Sequence, residues 1–351
     1  MHKIRVGRKI ISDESPCFII AEVGSNHNGS LRQAKQLIDI ARDAGADAVK
    51  FQIFRAKTMY PDKHIKVRYL KNMGINDSLY SIIERNEVPY EWIDELYRYA
   101  KKSGIEFMAT PFDVKAVKVI NPYVNVFKIA SYESMFSELI EEVKKTGKPL
   151  FISTGGSTEE EIDMMITKIL LGYEEKTVLM HCIAKYPAPI KETFLSVIPY
   201  FRARYNINVG YSDHTADPII APTVSVALGA RVIEKHITLS KKLPGPDHIY
   251  ALEPDEFRCM VTAIRQAESA LHIFRKRRIF DCEKELYFYK RCLYAKKDLS
   301  KGQIVNADDL IALRNIGIHC DFIHPVEIDS VIGKTLKRNR RNGAIITRGD
   351  I

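Results

Sequence analysis

The sequence predicts a (β/α)8 barrel followed by a small, mostly β domain. Through the first 270 residues, short apolar runs alternate with stretches of helical periodicity, and eight such units can be counted. Buried apolar strands alternating with helices are typical of parallel β/α units, and eight units of this length match the barrel. After residue 271 the segments become short and β-prone. We expect a barrel over 1–271, a linker arm over 272–290 and a small domain over 291–351.

The predicted strands are apolar runs bounded by turn residues, at 18–22, 47–51, 106–109, 125–129, 149–152, 177–181, 207–210 and 231–235. In the first unit, Ser30 is the expected N-cap of a helix, Gln33 its capping-box partner, and Gly45 its end. The last helix is expected around 255–271. A doubly wound open sheet is the alternative, and the absence of G-x-G-x-x-G after the first strand disfavours it.

The C-terminal part differs in charge and pattern. The charged and aromatic stretch after residue 271 is interpreted as a linker or extended arm, and Gly302 and Gly343 mark turns between β-prone segments. Of the net charge of +9, most lies in residues 271–351, which hold 17 Lys and Arg against 10 Asp and Glu. A nucleic-acid surface is one interpretation. We prefer a solvated basic face, because no nucleic-acid motif or interleaved aromatic residue accompanies the charge.

The composition also bears on location. Six dispersed cysteines without a C-x-x-C pair fit reduced cytosolic thiols better than a disulfide framework or a zinc ribbon. No apolar run approaches the roughly 18 residues of a membrane helix. We therefore expect a cytoplasmic protein without a membrane partner.

Polar residues follow every predicted strand, at the barrel face where active sites lie. They are Glu22 and the loop 24–29, Lys50 and Gln52, Thr110 and Asp113, Lys128, Ser131 and Glu133, Ser153 and Thr154, His181 and Tyr186, Ser212, Asp213 and His214, and Glu234, Lys235 and His236. Two lysines among several hydroxyl groups suit a small, highly charged phosphate or carboxylate anion. The alternative is that some lysines pair with Glu22, Glu133 or Glu234 across the barrel.

A metal site is the second candidate feature. His214 and His236 follow adjacent strands, and two neutral imidazoles in one cavity can hold Mn²⁺, Zn²⁺ or Fe²⁺. Few protein ligands would leave coordination positions open for substrate oxygens. A hydrogen-bonded structural role is the alternative for each histidine, and we assign it to His27 and His181. Cys182 is not expected to be a nucleophile, because the sequence shows no activating partner.

Nine motifs, in order, resemble the sialic acid (N-acetylneuraminate) synthase family, which includes legionaminate, pseudaminate and spore-coat polysaccharide synthases. The matching segments are IIAEVGSNHNG, AGADAVKFQIF, ATPFD, FKIASYE, ISTGG, HCIAKYP, GYSDHT, ARVIEKH and PGPDH. The tail resembles the family's antifreeze-protein-like (SAF) domain. The resemblance implies a barrel that condenses phosphoenolpyruvate with an open-chain N-acetylhexosamine, using a divalent metal, typically Mn²⁺. It also implies a domain-swapped homodimer.

The resemblance assigns a role to each matching residue. Phosphoenolpyruvate would be held by Lys50, Thr110, Lys128, Ser131, Ser153 and Ser212, and the metal by His214 and His236. The amino sugar would contact Glu22, Gln52, Asn76, Tyr186 and Asp247, together with Arg314 of the partner subunit. Glu22, Lys50 and Glu133 would be catalytic, with Glu133 the acid or base near the attacking water.

The chain departs from the family pattern in three places. The tail has LRNIGIH, with Arg314, where many members have a K-R-P-G-x-G-like run, so this arginine is matched to within one residue. Ala184 stands where many members have Asn or Ser, so a polar contact to phosphoenolpyruvate is absent or replaced. The family's sugar-binding asparagine, between the second strand and the next helix, has no exact match here; Asn76 is the nearest candidate and Asn72 the alternative. The sequence does not identify the amino sugar: N-acetylmannosamine and 2,4-diacetamido-hexoses share the reacting end. Another phosphoenolpyruvate-dependent keto acid synthase, or a non-catalytic polysaccharide- or nucleic-acid-binding protein, are the competing functions.

Overall fold

The computed structural model describes residues 1–66, 76–271 and 279–351. The chain divides into two compact units, Met1–His272 and Ile273–Ile351. Among the described residues, no helix has the length and apolar composition needed to cross a membrane.

The first unit contains a closed barrel of eight parallel strands, which confirms the predicted fold class. After a hairpin formed by β1 (Ile4–Val6) and β2 (Lys9–Ile11), the barrel strands are β3 (Phe18–Gly24), β4 (Ala48–Ile53), β5 (Glu106–Pro111), β6 (Phe127–Ile129), β7 (Leu150–Ser153), β8 (Thr177–Cys182), β9 (Asn208–Asp213) and β10 (Val232–His236). Each barrel strand pairs with the next, and β10 pairs with β3 to close the ring. The apolar runs are continuous because almost every strand residue is buried.

Helices follow most of the strands and cover the barrel. They are α1 (Leu31–Asp43), α2 (Ala56–Met59), α3 (Leu79–Arg85), α4 (Tyr90–Ser103), α5 (Val114–Ile120), α6 (Ser137–Lys145), α7 (Glu159–Met164), α8 (Val197–Tyr205), α9 (Ile220–Ala227) and α10 (Pro254–Ala270). The Ser30 side chain caps α1 by accepting from the Gln33 amide at 3.3 Å, as predicted. The reciprocal half of the capping box is wrong: the Gln33 side chain instead donates to the Asn26 carbonyl at 2.6 Å.

The N-terminal hairpin, which the sequence analysis did not predict, packs at the amino ends of the barrel strands. Ile4, Val6 and Ile11 belong to one buried cluster with residues of the barrel interior, including Phe18 and Phe151. Phe18 is the first residue of β3, so this cluster lies at the opposite end of the strands from Glu22 and Gly24. The hairpin therefore closes the floor of the barrel and leaves the carboxyl ends for the site.

The second unit is a small β structure around a core of its own, which includes Leu293, Val305 and Ile323. Strands β11 (Arg291–Ala295) and β12 (Leu310–Arg314) pair antiparallel. Part of the basic tail has a structural role, because Arg338 and Arg340 both contact the fully buried Asp350.

The expectation of an extended arm is wrong for the part that the structure describes. A 3-10 turn at Asp281–Glu283 leads into the short helix α11 (Lys284–Tyr287). Residues 272–278 lie outside the described residues. The sequence pattern missed this turn because a single helical turn is too short to generate a periodicity.

Candidate active site

Four charged side chains meet inside the mouth of the barrel. Lys50 Nζ lies 2.5 Å from Glu22 Oε2 and 3.6 Å from Glu234 Oε1. Lys128 Nζ lies 3.9 Å from Glu234 Oε1. All four residues are at least 95% buried, since their exposed fractions are 0% for Glu22, 2% for both lysines and 5% for Glu234. Burial at this depth requires the charges to be paired, which the two carboxylates achieve.

The ion pairs that were the alternative interpretation of the lysines are present. The lysines do pair with acidic residues, but with Glu22 and Glu234 and not with Glu133. Burial alone would lower the pKa of Lys50, yet Glu22 and Glu234 hold it above its ordinary value. Burial lowers the pKa of Lys128. Two positive and two negative groups leave the cluster without net charge, while the lysine side chains are held inside the cavity.

Glu234 is the central residue of this cluster, and the sequence analysis named it among the polar strand ends and as a possible lysine partner without giving it a role in the site. Burial opposes its ionisation, but Lys128 and Lys50 lower its pKa to about 2. It also accepts a hydrogen bond from Ser212 Oγ at 3.2 Å. Strand alternation could have revealed it: Glu234 and His236 are two residues apart on β10 and so share a face, whereas Lys235 between them points the other way, to Asp213.

The predicted hydroxyl groups lie around the same lysines. Lys50 Nζ donates to Thr110 Oγ1 at 3.0 Å, and Lys128 Nζ donates to Ser153 Oγ at 2.6 Å. Ser131 Oγ accepts from the Gly155 amide at 3.0 Å. The ammonium and hydroxyl groups of β4, β5, β6 and β7 and of the loop after β6 thus lie together at the mouth of the barrel. Such a set of donors suits a small anion.

Ala184 adjoins this group from the loop after β8. A methyl group built on Gly155 would lie 2.9 Å from Ser131 Oγ, 3.1 Å from Cys182 Sγ and 3.2 Å from Ala184 Cβ. The small size of residues 155 and 184 therefore keeps the loops after β6, β7 and β8 in close contact.

His214 and His236 stand close together, with ring centroids 5.8 Å apart. Nδ1 of His214 lies 2.8 Å from the Ile183 carbonyl oxygen, which can only accept a hydrogen bond. Nδ1 therefore carries the hydrogen, and the lone pair on Nε2 remains free. Burial lowers the pKa of His236 to about 3, so this ring is neutral, and its Nδ1 is buried without a hydrogen-bond partner.

These observations fit a divalent metal held by two protein nitrogens. Neutral imidazoles are suitable ligands for Mn²⁺ or Zn²⁺, and a pair of protein ligands leaves positions for oxygen atoms of a substrate. Within the described ranges, no group of three or more His, Cys, Asp or Glu side chains could hold a metal. The proposed ion would therefore depend on these two histidines and on bound oxygen ligands.

The residues expected to contact a sugar are only partly brought together. Gln52 Nε2 donates to Glu22 Oε1 at 2.7 Å, and the half-exposed Tyr186 stacks on His214 with ring centroids 4.1 Å apart. Asp247 Oδ2 accepts from the Ser25 amide at 3.3 Å on the same side of the mouth.

The other two expected sugar contacts, Asn76 and Arg314, are both exposed. Asn76 is exposed just before α3, and the alternative, Asn72, lies outside the described residues. Arg314 belongs to the second unit, where it is exposed at the end of β12 and borders a cavity of about 530 Å³ with Tyr294 and Ile316.

Glu133 has the electrostatic properties of an acid or base. It ends the 3-10 turn Ser131–Glu133 that follows β6, and its Oε2 is buried without a hydrogen-bond partner. Burial raises its pKa to about 7. A carboxyl group of this pKa exchanges protons at neutral pH.

Three further polar residues have local partners. Nε2 of His181 lies 2.7 Å from the Thr193 carbonyl, and the ring stacks on Tyr211, as expected of a structural histidine. His27 accepts from the Gly29 amide at 3.1 Å. Cys182 does have a neighbour that the sequence analysis did not anticipate, because its Sγ lies 3.7 Å from Nδ1 of His214.

Comparison with known proteins identifies the relatives of this chain. Residues 37–276 match the NeuB family, and residues 290–351 match the SAF domain. The N,N'-diacetyllegionaminic acid synthase of Campylobacter jejuni is 36% identical over 336 residues, which cover 94% of this chain and 98% of the relative. The spore coat polysaccharide biosynthesis protein SpsE of Bacillus subtilis is 40% identical over 274 residues, 77% of this chain and 73% of the relative.

A solved structure agrees with these relatives. The N-acetylneuraminic acid synthetase of Leptospira borgpetersenii, in complex with citrate, superposes with a TM-score of 0.71 at 30% identity, covering 82% of this chain and 97% of the other. The barrel, its polar mouth and the C-terminal SAF domain define an enzyme of the acid synthase class. The chain belongs to the NeuB family.

Proposed function

We propose that this enzyme condenses phosphoenolpyruvate with an open-chain N-acetylhexosamine to give a nonulosonic acid and inorganic phosphate. The observation that carries the proposal is the buried pair Lys50 and Lys128, held by Glu22 and Glu234 among Thr110, Ser131, Ser153 and Ser212. Such a cavity offers cationic and hydroxyl donors to a phosphate and a carboxylate together. The names of the relatives support the sugar-acid product.

The reaction can be written with the residues in named roles. C3 of phosphoenolpyruvate forms a bond to the aldehyde carbon of the sugar, whose oxygen takes up a proton, and C2 becomes cationic. Water adds to C2 and gives its proton to Glu133, whose pKa of about 7 suits a base at neutral pH. The C2–O bond to phosphate then breaks and the proton of the C2 hydroxyl passes to the departing phosphate, which leaves a 2-keto acid. The proton that Glu133 gains balances the one that the aldehyde oxygen takes up. Lys50 and Lys128 hold the phosphate and carboxylate, and Glu22 with Gln52 orients the sugar.

His214 and His236 would hold the divalent metal, most suitably Mn²⁺. When bound, such an ion polarises an aldehyde oxygen as a Lewis acid. The charge balance of the cavity supports the assignment: the two lysines are neutralised by Glu22 and Glu234, so the protein alone supplies no net positive charge to a substrate with both phosphate and carboxylate groups.

The direct test is phosphate release from phosphoenolpyruvate in the presence of Mn²⁺. N-acetylmannosamine and 2,4-diacetamido-hexoses are compared with aldose phosphates of the kind that other keto acid synthases use. We expect turnover with an N-acetylhexosamine. Turnover with an aldose phosphate alone would favour the competing keto acid synthase, and the absence of release with every acceptor would overturn the proposed function.

We further propose a domain-swapped homodimer in which Arg314 of each chain reaches the sugar in the partner's barrel. The full-length variants Arg314→Ala and His236→Ala should each lose most activity. When the two variants are mixed and allowed to exchange subunits, activity should recover. One site of the heterodimer then combines the intact barrel of the Arg314→Ala chain with the intact C-terminal domain of the His236→Ala chain. Heterodimers without recovery, or an active monomer, would contradict the swap.

A further inference from the structure

His248 is buried in a network that joins two loops at the mouth of the barrel. It is 1% exposed, and its two ring nitrogens contact different elements. Nε2 lies 3.0 Å from Asn28 Oδ1, in the loop after β3, and Nδ1 lies 2.7 Å from Thr238 Oγ1, just after β10. The sequence motif PGPDH drew attention to Asp247, and the histidine beside it has no role in the proposed reaction.

The hydrogens of this network can be assigned from the chemistry of its members. An amide oxygen only accepts, so Nε2 carries the hydrogen and donates to Asn28. Nδ1 is then an acceptor for the Thr238 hydroxyl at 2.7 Å, which is closer than the other acceptor of that hydroxyl, the Ser240 carbonyl at 3.1 Å. The Thr238 oxygen in turn accepts from the Ser240 amide at 3.1 Å. Both ring nitrogens of a neutral imidazole are thereby satisfied, which fits the lowering of the His248 pKa by burial.

The surrounding backbone is shaped to receive this ring. Gly245 has φ +145°, and a methyl group at that position would come within 2.9 Å of His248 Cδ2. Asn28 has φ +49°, a left-handed conformation that asparagine tolerates better than most residues. Gly245 and Asn28, on different loops, therefore both adopt uncommon backbone conformations where they adjoin the same imidazole.

Asp247 is adjacent in sequence and lies beside the candidate metal site. Its Oδ2 accepts from the Ser25 amide at 3.3 Å. A methyl group built on Gly24 would be 3.1 Å from Asp247 Oδ2 and 3.1 Å from His236 Nδ1, so the carboxylate and the ring approach the same point. The segment 241–250 that carries Asp247 contains neither helix nor strand, and the position of Asp247 consequently depends on such side-chain contacts.

We propose that His248 is a positioning residue, which ties the loop of Asp247 to the loop of Asn28 and so sets the Asp247 carboxylate against the acceptor sugar. This inference rests on the proposed function, because the sugar is the ligand that Asp247 would contact. Small displacements of a positioning group can reduce turnover by about a hundredfold. The effect should fall on the acceptor and not on phosphoenolpyruvate, whose lysines lie on β4 and β6.

Two variants break the same hydrogen bond from opposite ends. His248→Asn keeps a polar group near Thr238 but cannot reach Asn28, and Asn28→Gly removes the acceptor while it keeps the left-handed backbone accessible. Tyr99→Phe is the matched control, because it removes a side-chain hydrogen bond of 2.8 Å to Asp39 on the outer helices.

We expect at least a tenfold rise in KM for the acceptor in both variants, with less than a twofold change in KM for phosphoenolpyruvate. The double variant should be no worse than the worse single one, because both changes remove one bond. Tyr99→Phe should change neither KM. Should His248→Asn fail to fold, Asn28→Gly carries the test alone.

Equal changes in both KM values, or a lowered Tm without a change in acceptor KM, would overturn the positioning role while the proposed function stands. A wild-type enzyme that turns over no N-acetylhexosamine would instead overturn the proposed function, and this inference with it.

Discussion

Glu133→Gln is the change that tests the proposed chemistry most directly. The substitution keeps the size of the side chain but removes the group whose pKa burial raises to about 7. With that pKa, about a tenth of the carboxyl groups are ionised at pH 6 and about nine-tenths at pH 8. Because the ionised form would accept the proton of the attacking water, kcat should rise about tenfold across this interval in the wild type.

In Glu133→Gln this rise should disappear, and kcat should fall by about a hundredfold to ten-thousandfold, the usual contribution of a general base. Phosphate release between pH 5.5 and 8.5, at saturating substrates, measures both effects. Glu138→Gln is the matched control, since Glu138 is an exposed carboxylate of the same segment. Persistence of the inflection near pH 7 in Glu133→Gln, or a similar loss in Glu138→Gln, would refute the reasoning.

Three other substitutions have definite expected outcomes. Lys128→Met should raise KM for phosphoenolpyruvate by about tenfold or more through loss of a charged donor, and a selective rise in the sugar KM would show that the role is misassigned. His236→Ala should lose bound Mn²⁺, measured by elemental analysis after dialysis, with unchanged circular dichroism; full metal content and activity in a chelator would contradict the ligand assignment. Phe194 is 60% exposed at φ +45°, so Phe194→Asn should stabilise the fold by about 1 kcal/mol in thermal unfolding, whereas Leu271→Asn, at φ −92°, should not. A lower Tm for Phe194→Asn would mean that its backbone stores no strain.

The barrel was predictable because its strands are buried on both faces, which gives continuous apolar runs, and because parallel strands deliver their carboxyl ends to one face. That geometry also made Lys50, Lys128, His214 and His236 recognisable as neighbours. The hairpin Ile4–Ile11 was missed since each strand has three residues, too few for an alternation to register.

Other features depend on contacts that local pattern does not encode. The partner of His248 is 220 residues away in sequence, and nothing near PGPDH predicts an asparagine after the first strand. The central place of Glu234 likewise follows from two lysines on other strands. Local periodicity therefore located the mouth of the barrel, but the pairing within it required the three-dimensional structure.

The hairpin at the floor of the barrel affects the order in which ligands can bind and leave. A barrel that is closed at one end has a single opening, and every ligand must enter and leave through it. Lys50 and Lys128 lie deep, at 2% exposure, whereas Tyr186 stands at the rim with 49% of its surface exposed. A ligand seated on the lysines must arrive before one that rests against the rim, and it can depart only after the upper ligand has moved. In the proposed reaction, the closed floor would therefore require phosphoenolpyruvate to bind before the sugar.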